Sequence, residues 1–288
     1  PPRSTLFPYT TLFRSPDDDL LHCNLAAALL SVDNRPVAYT HARRSTELNP
    51  ANPIGWLNLA ACCTLLGYAQ EGEQAARRVL ELQPDNHYAW NSLGGCLRTL
   101  GRAAEAVAAY RQAVRYDPRY TGAYSNLLLT MQADPATQPA TLLETAREFA
   151  DQFELPLRST WPLHTNNPAP WRKLRVGFIS PDLNSHAVMY FAEPLLCRLD
   201  RRQFEIYCYA LQADGAEDPV TLRVQRLSDR FVYLGSASPE ERAERILADR
   251  VDVLIDLAGH TARNGLLTMA RKPTPVQLTW LGYPGTTG

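Results

Sequence analysis

The sequence predicts a helical repeat region followed by an α/β region built on a parallel sheet. Two observations support this prediction. In the first half of the chain, proline, small and large apolar residues recur every 34 positions, as they do in a helical repeat. In the second half, short apolar runs alternate with segments of helical periodicity, which is the pattern of βαβ units.

The 34-residue period is typical of tetratricopeptide repeats, in which each repeat is a helix–turn–helix. The recurring positions are Pro50, Pro84 and Pro118; Trp56, Trp90 and Tyr124; and Leu25, Leu59, Leu93 and Leu127. Each proline ends a second helix, because it has no backbone N–H. The alternative is accidental periodicity in a plain helical bundle. We place repeats at 19–52, 53–86 and 87–120, and a further helix at 121–132.

The sixth position of each repeat carries Asn24, Asn58, Ser92 and Asn126, all on the first helix of a pair. An amide side chain can both donate to and accept from a peptide backbone. A ladder of such amides in the concave groove of a repeat array could therefore hold an extended peptide. The alternative is that asparagine is common at this position for local reasons, and Ser92 interrupts the ladder.

Composition excludes several classes of protein. The formal net charge is −1, which argues against a nucleic-acid-binding protein, and no apolar run has the length of a membrane span. The six cysteines form no C-x-x-C pair and lie in apolar patterns, so we expect buried free thiols in a reducing compartment, the cytoplasm. Histidine and cysteine are too scattered for a zinc site, so no metal is expected.

The pattern divides the chain into four segments. Residues 1–18 have no initiator methionine and repeat the triplet TLF, so we treat them as a non-native or disordered leader. Residues 19–134 hold the repeats. Residues 135–171 form a helical and proline-rich linker, in which His164 is expected to be a solvated loop residue rather than a catalytic one. Residues 172–288 form the α/β region.

The α/β region is expected to be most of one Rossmann-like unit. Strands are predicted at 174–180, 204–210, 230–234 and 251–257, with helices at 187–199, 218–229 and 239–249. A short helix, another strand and a Gly/Pro/Thr loop follow. The sequence has neither G-x-G-x-x-G nor a P-loop motif, so it supports neither a dinucleotide nor a P-loop site.

Three loops that follow strands are candidates for chemistry, because ligands bind at the carboxyl ends of parallel strands. The first carries Asp182 and His186, an acid and an imidazole suited to proton transfer. Asp182 could instead cap a helix, and His186 could be structural. The second loop carries His260, for which structural and functional roles are equally favoured. The third, LGYPGTTG, is rich in small residues that allow a ligand close to the backbone.

The order of these motifs resembles a known family. The 34-residue repeats are followed by LRVGFISPDLNSHAVMYFAEPLL, then DVLIDLAGHTARN, then RKPTPVQLTWLGYPGTTG. This arrangement is similar to that of the O-linked N-acetylglucosamine transferases, including SPINDLY-like bacterial members, over about residues 19–288. The resemblance implies a GT-B fold with two Rossmann-like lobes, and transfer of N-acetylglucosamine from UDP-N-acetylglucosamine to Ser or Thr of proteins, with inversion and without a metal.

The resemblance also implies roles for individual residues. Asp182 would take or relay the acceptor proton, and His186 would lie close to the sugar and the acceptor. The backbone of Leu281, Gly282 and Pro284 would contact the donor sugar, and His260 is assigned to the same donor site. Asn24, Asn58 and Asn126 would hold the protein substrate. Val188 stands where animal members have threonine. Because some relatives use other donors, GDP-fucose and UDP-glucose stay open.

Two readings of the whole chain therefore compete. In the first it is an N-terminal piece of a protein O-glycosyltransferase, which stops inside the third loop at Gly288. In the second it is a non-catalytic scaffold that binds peptides through its repeats. DNA sequence across both ends of the reading frame would separate them.

On the first reading, we expect the 288-residue chain alone to show negligible sugar transfer. The resemblance places the groups that stabilise the departing nucleotide in a second lobe, and both walls of the cleft are needed to hold donor and acceptor. The measurement is incorporation of labelled N-acetylglucosamine into a peptide by the purified chain. Robust incorporation would contradict the expectation.

Overall fold

A computed structural model describes residues 17–169, 171–215 and 217–288. The chain divides after Thr137 into two compact units, which are described separately. Residues 1–16 of the predicted leader lie outside the described residues. None of the described helices is long and apolar enough to cross a membrane.

The first unit is a series of antiparallel helix pairs in which each helix packs against the next. The helices are α1 (Asp19–Ser31), α2 (Arg35–Leu48), α3 (Pro53–Leu66), α4 (Ala69–Leu82), α5 (His87–Thr99), α6 (Ala103–Tyr116) and α7 (Thr121–Ala133). This confirms the predicted helical repeats, with α7 as the further helix.

The repeat residues define where helices begin and end. The first helix of each pair is capped by the side chain of Asp18, Asn52 or Asn86, which accepts a backbone N–H of the first turn. The repeat tryptophans bond to the turn before their helix: Nε1 of Trp56 donates to the carbonyl of Pro50 at 2.9 Å, and Nε1 of Trp90 donates to that of Pro84 at 2.8 Å. The recurring tryptophan and proline are therefore hydrogen-bond partners.

The small residue at the eighth repeat position is needed for close helix packing. A Cβ placed on Gly94 would lie 2.7 Å from the ring of Tyr110 on α6, and Tyr110 is itself 1% exposed. Ala26 and Ala60 hold the equivalent positions and are fully buried. Larger side chains there would force the paired helices apart.

The second unit is an α/β layer structure. Its elements are α8 (Pro139–Phe153), a 3₁₀ helix (Leu155–Thr160), β1 (Leu174–Ser180), α9 (Met189–Arg198), β2 (Phe204–Ala210), α10 (Pro219–Leu227), β3 (Arg230–Tyr233), α11 (Pro239–Ala248), β4 (Val253–Asp256), α12 (Leu266–Met269) and β5 (Val276–Thr279). Strands β1 and β2 have the predicted bounds, and the other strands and helices predicted for this unit are shorter by one to three residues.

The five strands form a parallel sheet in the order β3-β2-β1-β4-β5. Side chains alternate between its faces: Phe178 packs in the core beneath α9 and α10, and Ile179 packs in the core on the side of α11 and α12. The parallel arrangement places the loops after β1, β4 and β5 side by side at the carboxyl edge. These are the three loops that the sequence singles out, and the predicted fold class is confirmed.

A buried carboxylate ties the amino edge of the sheet to the segment before β1. Asp252, 6% exposed, accepts two hydrogen bonds of 2.6 Å from the guanidinium of Arg172, one from the Asn166 amide and one from the N–H of Arg175. Burial alone would raise the pKa of Asp252, but the bonds from Arg172, Arg175 and Asn166 hold that pKa below its ordinary value of 3.8.

We expect Asp252→Asn to destabilise the second unit by about 3 kcal/mol at pH 7, because the change leaves the Arg172 charge without its partner. A carboxyl whose pKa is lower in the folded chain contributes stability above pH 3.8, and this contribution is lost as the pH falls through the folded pKa. Urea unfolding at pH 7 and at pH 3 measures both effects. The difference in the free energy of unfolding between wild type and Asp252→Asn should be smaller at pH 3 than at pH 7. Asp151→Asn, which changes an exposed residue of α8, serves as the control. Equal stability of wild type and Asp252→Asn at pH 7 would contradict the role of this anchor.

Candidate functional site

The candidate site is formed by three neighbouring loops at the carboxyl edge of the sheet. Loop 1 is 181–188 after β1, loop 2 is 257–265 after β4, and loop 3 is 280–288 after β5. Because β1, β4 and β5 are adjacent strands, the loops are neighbours in space although about 70 residues separate loop 1 from loop 2 along the chain.

Loop 1 places an acid beside an imidazole. Oδ2 of Asp182 lies 4.0 Å from Nδ1 of His186, with the two side chains 17% and 49% exposed. Nδ1 accepts a 3.3 Å hydrogen bond from the N–H of Val188, so the proton of the neutral ring is on Nε2. The predicted pair is therefore together, with the acid half-enclosed and the imidazole open to solvent.

The surroundings of Asp182 favour proton uptake. Burial raises the pKa of the Asp182 carboxyl, and the charges of His186 and Arg263 only partly offset this. Arg263 belongs to loop 2, so its field on Asp182 also links the first two loops. The helix that follows begins at Met189 with Val188 as its N-cap, so Asp182 is not a helix cap.

Loop 1 is held by residues that the sequence did not single out. The Asn184 amide donates to Oε1 of Gln212 at 3.0 Å, and the N–H of Ser185 donates to Oδ2 of Asp218 at 2.5 Å. Thr221 donates to the carbonyl of Leu183. The sequence offered one signal for these contacts, because Asp218 before Pro219 marks the start of a helix. A carboxylate that caps a helix with one oxygen has its second oxygen available to loop 1.

Loop 2 is folded around a carboxylate at the end of β4. Asp256 is fully buried and accepts the N–H groups of Ala258 at 3.1 Å and Gly259 at 2.7 Å. Burial raises the pKa of Asp256 to about 6, although these two bonds and the Thr279 side chain act against the rise. Thr279 ends β5, so Asp256 connects loop 2 to the strand that leads into loop 3.

His260 lies inside the unit, 1% exposed. Its ring meets Phe149 of α8 and Tyr283 of loop 3 edge-on, with centroids 4.7 Å and 5.3 Å away. Burial lowers the pKa of His260 to about 4, although a hydrogen bond from the ring to the backbone of Thr287 acts in the opposite direction. The enclosed position favours the structural interpretation, and its role in donor binding stays a prediction.

Loop 3 requires its glycine. A Cβ on Gly282 would lie 1.8 Å from the carbonyl oxygen of Leu257, so the backbones of loops 2 and 3 touch there. Leu281 has φ +77° and is 37% exposed, and Pro284 is exposed. Loop 3 is therefore exposed at Leu281 and Pro284, whereas Tyr283 between them is buried. The contacts of Leu281, Gly282 and Pro284 with the donor sugar stay a prediction.

The predicted peptide ladder lies in the other unit, on the first helices of the repeats. Asn24 is exposed, whereas Asn58 is 9% exposed and its amide donates to the carbonyl of Cys23 at 3.0 Å. Asn126 donates to Oδ1 of Asn91 at 3.0 Å. Two of the three amide groups thus already bond within the repeats, which is the local role weighed as the alternative.

His164 corrects an expectation. Both of its ring nitrogens are buried and have no hydrogen-bond partner in the described part of the chain, so it is not a solvated loop residue. Burial lowers the pKa of His164, and Lys272 lowers it further. Across the ranges that the structure describes, no group of three or more His, Cys, Asp or Glu residues is arranged to hold a metal ion.

Comparison with known families matches both regions. The model of glycosyl transferase family 41 matches residues 151–288, and a tetratricopeptide repeat model matches residues 66–121. The resemblance predicted from the motifs is confirmed.

Relatives share these regions at moderate identity. The probable UDP-N-acetylglucosamine–peptide N-acetylglucosaminyltransferase SPINDLY of Solanum lycopersicum is 32% identical over 61% of this chain and 19% of its own length. The similarly named SEC protein of Arabidopsis thaliana is 30% identical over 52% of this chain and 16% of its length. The match thus spans about a fifth of the curated relatives. A solved O-GlcNAc transferase mutant of Thermobaculum terrenum is 27% identical, with a TM-score of 0.81 over 98% of this chain and 52% of its own.

The burial of His260 predicts a pH effect on stability. The folded ring stays neutral down to a pKa of about 4, whereas an exposed ring takes up a proton near 6.5. Its contribution is therefore complete above pH 6.5 and falls by about 3 kcal/mol as the pH drops to 4. Asp256, with its pKa raised to about 6, acts in the opposite direction over much of the same range.

The test must therefore compare variants. His260→Phe keeps an aromatic ring between Phe149 and Tyr283 but removes the titration. Urea unfolding at several pH values should show that the stability of His260→Phe, relative to wild type, rises as the pH falls from 6.5 to 4. A constant difference across this range would show that the folded His260 ring titrates normally.

Proposed function

We propose that this chain is the repeat region and acceptor-side lobe of a protein O-glycosyltransferase, because its residues 151–288 belong to glycosyl transferase family 41. The single observation that supports the proposal most strongly is loop 1, where a half-buried Asp182 lies beside His186 at the carboxyl edge of the sheet. The substrate class follows the names of the relatives: a nucleotide sugar and a protein acceptor.

The proposed reaction transfers N-acetylglucosamine to a Ser or Thr hydroxyl. The hydroxyl oxygen forms a bond to the anomeric carbon on the face opposite the nucleotide, and the bond from that carbon to the diphosphate oxygen breaks. The electron pair of the broken bond leaves with UDP. The hydroxyl proton is taken or relayed by Asp182, whose raised pKa makes it a stronger base than an exposed aspartate.

His186 and loop 3 have positioning roles in this proposal. The Val188 N–H fixes the Nδ1 side of the His186 ring, which leaves Nε2–H to donate to the sugar or the acceptor. The backbone of Leu281, Gly282 and Pro284 receives the donor sugar. This backbone path requires glycine at position 282, because a side chain there would collide with the carbonyl of Leu257. No metal or other cofactor takes part.

The donor and the compartment are parts of the proposal. UDP-N-acetylglucosamine is the donor named for the relatives, and GDP-fucose and UDP-glucose are the alternatives. The cytoplasm is the proposed compartment, because all six cysteines are free thiols and five of them are buried. For the transfer reaction we propose no nucleic-acid or membrane partner.

A second function, peptide binding without catalysis, is favoured by a separate observation. The repeat unit has a cavity of about 440 Å³ lined by apolar, amide and hydroxyl side chains, among them Asn58, Asn91 and Ser92. The rings of Tyr88 and Tyr120 meet edge-on at 5.3 Å along its wall. Such a surface offers contact area for an extended segment and polar groups for its backbone. In the transferase the same surface would hold the acceptor protein.

We expect Asp182→Asn to reduce sugar transfer at least about 100-fold, because it removes the proton acceptor while keeping the shape of the side chain. The assay uses the full-length gene product that contains this chain, with radiolabelled UDP-N-acetylglucosamine, GDP-fucose and UDP-glucose supplied separately. Asp214→Asn, an exposed change in the loop after β2, is the matched control and should keep full activity.

The outcomes separate the two functions. Transfer from one donor that is lost in Asp182→Asn and kept in Asp214→Asn supports the transferase. No transfer from any donor, together with peptide binding that weakens in Tyr88→Ala, supports the scaffold. Transfer that survives Asp182→Asn would mean that another group takes the proton.

A further inference from the structure

A second polar cavity lies at the amino edge of the sheet, opposite the three loops. Its volume is about 430 Å³, and its lining includes Asn166, Arg172, Lys173, Arg175, Glu205, Arg250 and Asp252. These residues come from the segment before β1, from the starts of β1 and β2, and from the turn before β4. The transferase proposal uses none of them.

The lining is electropositive. Four cationic side chains line the cavity against two carboxylates, Asp252 and Glu205. Arg172 is fully engaged, since it binds both oxygens of Asp252 and two backbone carbonyls. This pair fixes the wall of the cavity but neutralises itself, so the excess charge comes from the other cations.

The remaining cations have donors to spare. Nε of Arg175 binds Glu205 at 3.1 Å and its Nη1 binds the carbonyl of Asp249, which leaves Nη2. Lys173 and Arg250 are exposed and form no ion pair with any of the residues described. Three cationic groups without a full set of partners thus face one cavity, which suits a ligand with several negative oxygens.

Arg250 occupies a conformation that disfavours a side chain. It follows the end of α11 with φ +52°, where glycine or asparagine is the usual residue. The Asn166 amide holds this turn by bonds to the carbonyls of Arg250 at 3.0 Å and Val251 at 3.2 Å. The turn that carries Arg250, at a position that favours glycine, is therefore held by hydrogen bonds from Asn166, and Arg250 lines the cavity.

We propose that this cavity binds a small polyphosphate anion through Lys173, Arg175 and Arg250. Phosphate oxygens match both the guanidinium fork of arginine and the point charge of lysine. The site is remote from the candidate catalytic loops along the length of the strands, so the anion is a separate ligand rather than the sugar donor. The same chemistry could come from a free diphosphate or from a phosphorylated lipid headgroup.

The test is isothermal titration of the 288-residue chain with inorganic pyrophosphate at low ionic strength. We expect saturable binding at one site that weakens as NaCl is added, because exposed charges are screened. Lys173→Ala and Arg250→Gly should each weaken binding about fivefold, the scale of one exposed charge pair. Arg250→Gly also suits the left-handed turn, so it should not reduce thermal stability.

A matched control and a second ligand source complete the experiment. Arg226→Ala removes an exposed cation on α10, away from the cavity, and should leave binding unchanged. Co-sedimentation with phosphatidylcholine vesicles containing a phosphoinositide tests the headgroup source. Binding to pyrophosphate alone identifies a free anion, and binding to both that depends on Lys173 and Arg250 identifies a headgroup site. If neither ligand binds, or if both variants bind as tightly as Arg226→Ala, the proposal is wrong.

Discussion

The candidate site depends on the carboxylate of Asp256. It is fully buried at the end of β4, and it accepts the N–H groups of Ala258 and Gly259 and a bond from the Thr279 side chain. A buried carboxylate left without donors would be costly, so the loop must keep its N–H groups turned inward. That constraint determines the path of loop 2, its contact with loop 3 at Gly282, and the position from which Arg263 acts on Asp182.

Much of the fold was predictable because it is encoded in local periodicity. The 34-residue period identified the helix pairs, and the apolar runs at β1 and β2 gave both strands their observed bounds. Loop 1 was predictable for a related reason: its acid and imidazole are four residues apart, so chain connectivity alone keeps Asp182 and His186 near each other. Features that depend on residues close together in the chain can therefore be predicted from the sequence.

The features that were not predictable depend on contacts between distant residues. His164 was expected to be solvated, and the sequence favoured neither a structural nor a functional role for His260. In the structure the ring nitrogens of His164 are buried, and His260 is enclosed by α8 and loop 3. The amide of Asn58 donates to the carbonyl of Cys23, 35 residues away. The sequence could not distinguish this bonded amide from a free amide in the groove. The contacts of Gln212 and Asp218 that support loop 1 were not predictable either, because no local pattern marks the partner of a buried polar group.

The tryptophan–proline bonds of the repeats have a consequence for how the chain comes apart. Trp56 and Trp90 each bond to a carbonyl six residues away, and each helix mainly packs against the next. An array held by nearest-neighbour contacts frays from its ends and melts section by section. The parallel sheet joins strands that are far apart in sequence, so it must be lost in a single cooperative step. Amide hydrogen-exchange rates should therefore change gradually from helix to helix in the repeat unit, whereas the strands of the sheet should exchange together.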